Sequence, residues 1–230
     1  MLLQRTFITV FTAISVLTGC SNNIKQATDS VVEYFSLPSD VELSDKADQI
    51  PYASILAKLD DFPSSLLILG AIEESTANQP SYLKWISSDK EMLVTQNGRL
   101  VKTVNLAQGN LLAISSTQTD PLSIGLHHVS TPKQWDFLIS WQPGYHINYQ
   151  AHSSFEARGE QLKLLPNGQT LSLLYFVETI TIPALSSTYH NEYWLSPTSG
   201  EVISTKQHIA PKLHTLSLSV AKPFGSQEGL

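Results

Sequence analysis

Glu178 carries the most chemically suggestive environment in the chain. It lies in the run Thr170–Ile182, whose Leu171, Leu173, Leu174, Phe176 and Val177 are apolar. Desolvation raises the pKa of such a carboxyl and makes it a proton donor unless it is paired. Asp120, Glu156 and Glu192 are available as a second carboxyl, and glycoside chemistry needs two at a defined separation. Nothing in the spacing marks these residues as a set. The favoured reading is that Glu178 meets a basic residue such as Arg99 or Arg158, or points to solvent on a bent strand. Seven histidines are present. His127 and His128 are adjacent and on a strand would point to opposite faces. His190, His208 and His214 fall on neighbouring elements without metal-ligand spacing. They are expected to be surface or hydrogen-bonded histidines, with no metal and no cofactor. Ser154 lacks the Gly-x-Ser-x-Gly setting of an exposed nucleophile. Phosphate-binding and dinucleotide-binding glycine patterns are missing as well. No catalytic set is expected, and the chain does not read as an enzyme.

One residue has a clearer chemistry. Cys20 is the single cysteine and ends Leu17-Thr18-Gly19-Cys20, directly after an apolar run from Thr6 to Val16. That run is short for a membrane span and suits the core of a secretory signal. Small residues followed by Cys resemble the bacterial lipobox, in which the thiol is acylated and everything before it is removed. Residues 1–19 are therefore expected to be a lipoprotein signal peptide, with Cys20 as the lipid attachment site. Likeness to lipoproteins in general implies three acyl chains, and more than one is needed for stable anchoring. It also implies an outer-membrane address, because Ser21 stands where Asp would favour the inner membrane. A lone cysteine leaves no intramolecular disulfide. The chain carries 20 acidic and 14 Lys/Arg residues, a formal charge of −6, and no basic cluster. Nucleic acid is accordingly not an expected partner.

The elements that must position these residues are short and β-prone. Residues 20–50 read as a polar tether. Within it Ile24, Ala27, Val31, Tyr34 and Phe35 recur at helical spacing, forming a short amphipathic helix stopped by Pro38 and expected to dock on the domain. Residues 51–230 read as a single antiparallel β domain. Strands are expected at Tyr52–Asp60, Ser65–Ile72, Tyr82–Ser87, Met92–Gln96, Arg99–Val104, Asn110–Ser115 and Trp135–Trp141. Others follow at Tyr145–Phe155, Gln161–Leu165, Thr170–Ile182, Tyr189–Leu195, Glu201–Ile209 and Leu213–Val220. Asn97-Gly98 and Asn167-Gly168 are two-residue hairpin signals whose turn residues need positive φ. Leu171–Val177 is so apolar that burial on both faces is expected. So long a meander without intervening helices curls into an open barrel, a half-barrel or two packed layers. The fold class is all-β. Trp85, Trp135, Trp141 and Trp194, with several tyrosines, concentrate in strands, where core packing is the plain reading and a glycan-facing surface the sharper one.

Two segments carry a specific resemblance. The first runs through Tyr52-Ala53-Ser54-Ile55, Leu66–Gly70 and Asn97-Gly98-Arg99-Leu100-Val101-Lys102-Thr103. The second is Asn191-Glu192-Tyr193-Trp194, then Ser199-Gly200-Glu201-Val202, Ser204, Gln207 and Pro211. In order and spacing these are similar to the YjbF/GfcB family of group 4 capsule lipoproteins, with Asn105 a departure where Gly is expected. The resemblance implies an open-barrel β domain and a part in exporting or assembling capsule or exopolysaccharide. It implies a periplasm-facing lipoprotein anchored in the outer membrane, partnered with an outer-membrane β-barrel and periplasmic proteins of the export system. Polysaccharide itself would be a secondary contact. No active site comes with the resemblance. Arg99 is the first candidate for partner or glycan binding, followed by Trp194, Gln207 and Asn191. Two other readings stand beside the accessory role. One is a carrier holding a lipid or lipid-linked glycan in a half-open barrel, and the other is a glycan-modifying enzyme.

Overall fold

The computed structural model describes residues 37–74 and 81–225. Cys20 and the stretch Ile24–Phe35 lie outside these residues. The first helix, α1 (Asp40–Gln49), is set by its N-terminus. The Ser39 hydroxyl accepts from the Glu42 amide, and the Glu42 carboxylate accepts from the Ser39 amide at 2.7 Å. This reciprocal capping box satisfies two otherwise orphaned donors. Leu43, Ser44 and Ala47 are the buried face of α1, which packs on the first two strands and the last. A short helix is thus present on the N-terminal side, separate from the one expected over Ile24–Phe35.

Twelve strands follow among the described residues. They are β1 (Ser54–Leu59), β2 (Ser65–Glu73), β3 (Tyr82–Ile86), β4 (Met92–Gln96), β5 (Arg99–Val104) and β6 (Asn110–Ser115). After a four-residue helix, α2 (Pro121–Ile124), come β7 (Gln134–Gln142), β8 (His146–Leu164), β9 (Thr170–Ile182), β10 (Ser187–Leu195), β11 (Val202–His208) and β12 (Thr215–Lys222). All join one antiparallel sheet in the order β5-β4-β3-β2-β1-β12-β11-β10-β9-β8-β7-β6. The first and last strands pair from Ser54↔Lys222 to Leu59↔Leu216, which turns the meander into a nearly closed barrel. The seam falls between β5 and β6, neighbours in the chain that share no backbone ladder.

Side chains close that seam. Thr103 Oγ1 donates to Asn110 Oδ1 (3.1 Å) and accepts from the Leu111 amide (3.0 Å). Asn110 also holds the intervening turn, accepting from the Leu106 amide and donating to its carbonyl. From the opposite wall Gln207 on β11 reaches the same strand. Its Oε1 accepts from the Leu100 amide at 3.0 Å and its Nε2 donates to the Gly98 carbonyl at 2.8 Å. An amide side chain here offers β5 what a neighbouring strand would offer, one acceptor and one donor. Inside, Ile55, Trp85, Leu93, Trp135, Trp141 and Leu218 belong to the main apolar core, and Phe155, Phe176 and Tyr193 to a second cluster beside α2.

Three local expectations are corrected. Tyr145–Phe155 and Gln161–Leu165 are one 19-residue strand, β8, which passes a bulge between Ala157 and Glu160 with Gly159 at φ 80°. Leu171–Val177 is not buried on both faces. Thr170–Leu173 pair only with β8, beyond the end of β10, and Leu171 is 38% exposed. At Asn97-Gly98 both residues have positive φ, but at the β8–β9 turn only Gly168 does, because Pro166 holds the turn's first corner at negative φ. Gly98 carries a further constraint, since a Cβ there would sit 2.5 Å from Val202.

The seam gives a first test. Thr103→Val keeps the shape but strips the Leu111 amide of its acceptor, so unfolding free energy should fall by about 1–3 kcal/mol. Urea unfolding measures it, with exposed Lys102→Ala as the reference. A loss under about 0.5 kcal/mol would mean the seam is held by packing alone.

Candidate functional site

Six elements bring polar groups to one buried cluster. Arg99 opens β5 directly after the Asn97-Gly98 turn and is 2% exposed. Glu178, in the middle of β9, points into the barrel and is fully buried. The guanidinium meets Glu178 through two nitrogens, Nη1 to Oε2 at 3.0 Å and Nη2 to Oε1 at 2.9 Å. It turns its remaining edge to Asp120, with Nη2 to Oδ1 at 3.1 Å and Nε to Oδ2. Asp120 is itself fixed as the cap of α2, accepting from the Leu122 amide. Trp135 lies 4.6 Å from the guanidinium carbon, a cation–π contact that covers its face.

Glu178 is further saturated by neighbours. Tyr193 donates its hydroxyl proton at 3.0 Å, Asn191 Nδ2 donates at 3.2 Å, and the Ser153 hydroxyl also donates. The Tyr193 hydroxyl lies 3.2 Å from Gln207 Oε1 as well, which links this cluster to the strand-capping amide. Burial alone would pull the Arg99 guanidinium down, but Asp120 and Glu178 outweigh it and hold it well above its ordinary value. Burial pushes the Tyr193 hydroxyl well up, with Glu178 adding to it. The arrangement keeps a guanidinium charged and a phenol neutral, so it locks side chains instead of exchanging protons.

The sequence candidates divide accordingly. Arg99, Gln207 and Asn191 come together in this network, and Asn191 Oδ1 additionally accepts from the His208 amide. Trp194 does not join them. It lies on the outer side of β10, 6% exposed, stacked on Tyr175 with Lys163 Nζ 3.4 Å from its ring centre. All four are buried, three of them within this network and Trp194 against Tyr175 and Lys163. Glu156 pairs with Arg158, and Glu192 accepts from Tyr175, so neither accompanies Glu178. His127 and His128 occupy a turn, not a strand, with ring centres 3.7 Å apart. His190 and His208 bond to Thr179 and to the His190 carbonyl, whereas His214 is held by Asp60 and Gln108.

A cleft lies elsewhere, at the barrel end beside the Asn97-Gly98 turn. Its volume is about 540 Å³. Its buried wall is Ile55, Trp85 and Leu218, and its outer wall includes Ser81, Asn97, Ser123 and Glu201. The Ser199-Gly200 turn closes one side, where His127 packs directly against Gly200 at φ 72°. Sequence reasoning named the turns but not the cleft. Its residues come from six separated stretches, and only the hairpin signals pointed towards it.

The buried cluster yields a second test. Arg99→Met should cost roughly 3–5 kcal/mol, because it leaves Glu178 without its counter-charge. Adding Glu178→Gln should recover part of that loss, and denaturant unfolding of both singles and the double reads the coupling. Strictly additive losses would show that the two groups do not act as a pair.

Comparison with known proteins agrees with this architecture. The family described as group 4 capsule polysaccharide lipoprotein gfcB, YjbF matches residues 17–220, a span that includes Leu17–Cys20. The lipoprotein GfcB of Escherichia coli (strain K12) is 27% identical over 210 residues, covering 90% of this chain and 94% of that one. YjbF of the same organism is 26% identical over 209 residues, covering 90% and 93%. Among solved structures, the crystal structure of the hypothetical lipoprotein YmcC from Escherichia coli (K12) superposes with a TM-score of 0.68 at 23% identity. It covers 87% of this chain and 96% of that one, so the fold is shared. The chain belongs to the YjbF/GfcB family of group 4 capsule lipoproteins.

Proposed function

We propose that this protein is a lipid-anchored accessory factor in the export or assembly of a group 4 capsule or related exopolysaccharide. In this reading Cys20 carries the acyl chains and the β domain faces the periplasm from the outer membrane. There it works by contact with an outer-membrane β-barrel and periplasmic partners rather than by bond chemistry. Family membership supports the link to capsule, and the match across Leu17–Cys20 supports the anchor. Among the described residues no helix is long and apolar enough to cross a membrane.

The observation that carries the non-catalytic part is the commitment of Glu178 and Asp120 to Arg99. A glycosidase-like step needs one carboxyl free to give a proton and another free to attack or to activate water. Here both carboxyls of the interior are bound to one guanidinium behind Trp135, and neither faces the cleft.

A deletion strain complemented with wild type or Cys20→Ala tests the proposal, with polymer measured separately at the cell surface and in the periplasm. Surface polymer should be lost on deletion, return with wild type, and stay low with Cys20→Ala, which should also leave the outer-membrane fraction. Unchanged surface polymer in a deletion strain, under conditions where the wild type makes both protein and polymer, would overturn it.

A further inference from the structure

The cleft at the barrel mouth has a composition that selects among ligand chemistries. Its volume of about 540 Å³ lies within the roughly 300–1,000 Å³ of small-molecule sites. One wall is apolar, formed by Ile55, Leu83, Trp85 and Leu218, and Phe224 extends it at the lip, 49% exposed. The other wall carries Ser81, Asn97, Ser123 and Glu201. Among the described residues these four side chains make no hydrogen bond to the protein. An acyl chain filling this space would dry polar groups without giving them partners, at roughly 1–3 kcal/mol each. Pyranose rings present apolar C–H faces and hydroxyl edges together, which matches two unlike walls facing each other.

Charge narrows the choice. Among its described lining residues there is no Lys or Arg, and Glu201 is the acidic side chain. A phosphate or uronate would meet a carboxylate with no counter-ion, whereas a neutral or amino sugar would not. The cleft is also built in advance. Gly98 and Gly200 hold its two turns at positive φ, pressed against Val202 and His127 respectively, so no closing motion is needed to form it.

From these features we infer that the barrel-mouth cleft binds a short segment of neutral or amino-bearing glycan, with rings lying on the Leu83–Trp85 wall and hydroxyls served by Asn97, Ser123 and Glu201. The inference rests on the capsule reading above and adds to it a place of contact and a sugar class. The full chain in lipid nanodiscs would be titrated calorimetrically with maltohexaose, chitohexaose, chitosan hexamer, hexagalacturonate and palmitate. At least one neutral or amino hexamer should bind, and hexagalacturonate should bind at least about tenfold more weakly. Ser123→Trp, which fills the cleft, should abolish binding. Phe224→Ala, at an exposed site near the chain end, should weaken it severalfold without changing the thermal midpoint. Glu201→Lys should reverse the preference towards hexagalacturonate. Binding by none of the neutral or amino hexamers, palmitate binding blocked by Ser123→Trp, or hexamer binding that survives both cleft substitutions would overturn the inference. An empty cleft in a protein whose deletion still removes surface polymer would overturn this site alone. A bound hexamer with normal surface polymer in the deletion strain would overturn the export role and leave the site.

Discussion

A guanidinium taken out of water has five N–H donors and a full charge to satisfy, and the cost of failing is several kcal/mol. In this protein that obligation falls on Arg99, and the groups that meet it come from far apart. Glu178 is on β9, Asp120 caps α2, Tyr193 is on β10, and the Trp135 ring on β7 covers the guanidinium's flat face. None of these contacts is local in sequence, so the cluster can form only when the opposing walls are already in place. Apolar residues of equal volume are often as stable as such a cluster. What the cluster adds is placement, because it ties the start of β5 to the wall across from it and to the loop that follows β6.

That placement matters because β5 and β6 are sheet edges. An edge strand exposes unpaired backbone groups and invites pairing with other chains. Here the exposed groups are taken up one at a time by side chains, Leu100 and Gly98 by Gln207 and Leu111 by Thr103. The barrel is thus closed by chemistry that differs from the ladder elsewhere. The same anchoring fixes the Asn97-Gly98 turn, which forms one lip of the mouth cleft. The buried network and the open cleft are two sides of one construction, with the inner side holding the outer side in shape.

Much of the architecture was legible in the sequence. Met92–Gln96, Arg99–Val104, Asn110–Ser115 and Thr170–Ile182 appear as strands with the bounds their β-branched and apolar runs indicated. The pairing of Glu178 with a basic residue was legible too, because a carboxyl in an apolar strand has few other ways to remain stable. What could not be read was direction. Alternation places Arg99 and Gln207 on strands but does not say that both turn inward, and an arginine near a hairpin is more often solvated. Only the sheet order reveals this, since it brings β11 opposite β5 across the interior. Helix α1 was missed for another reason. Its signal is the Ser39–Glu42 capping box, whereas its buried face is only Leu43, Ser44 and Ala47, too small to stand out as a periodicity.

Pairing β1 with β12 has a consequence in time as well as in space. The ladder from Ser54 to Lys222 joins residues separated by nearly the whole domain, so it is among the last contacts a growing chain can make. Before β12 emerges, β1 has only β2 beside it and the sheet ends in two halves, β1–β5 and β6–β11. Each half is an open ribbon without the partner that buries its apolar face. Contacts of such long range fold slowly. Until the last strand is in place, a chain built this way lacks the ladder that joins its two halves into one barrel.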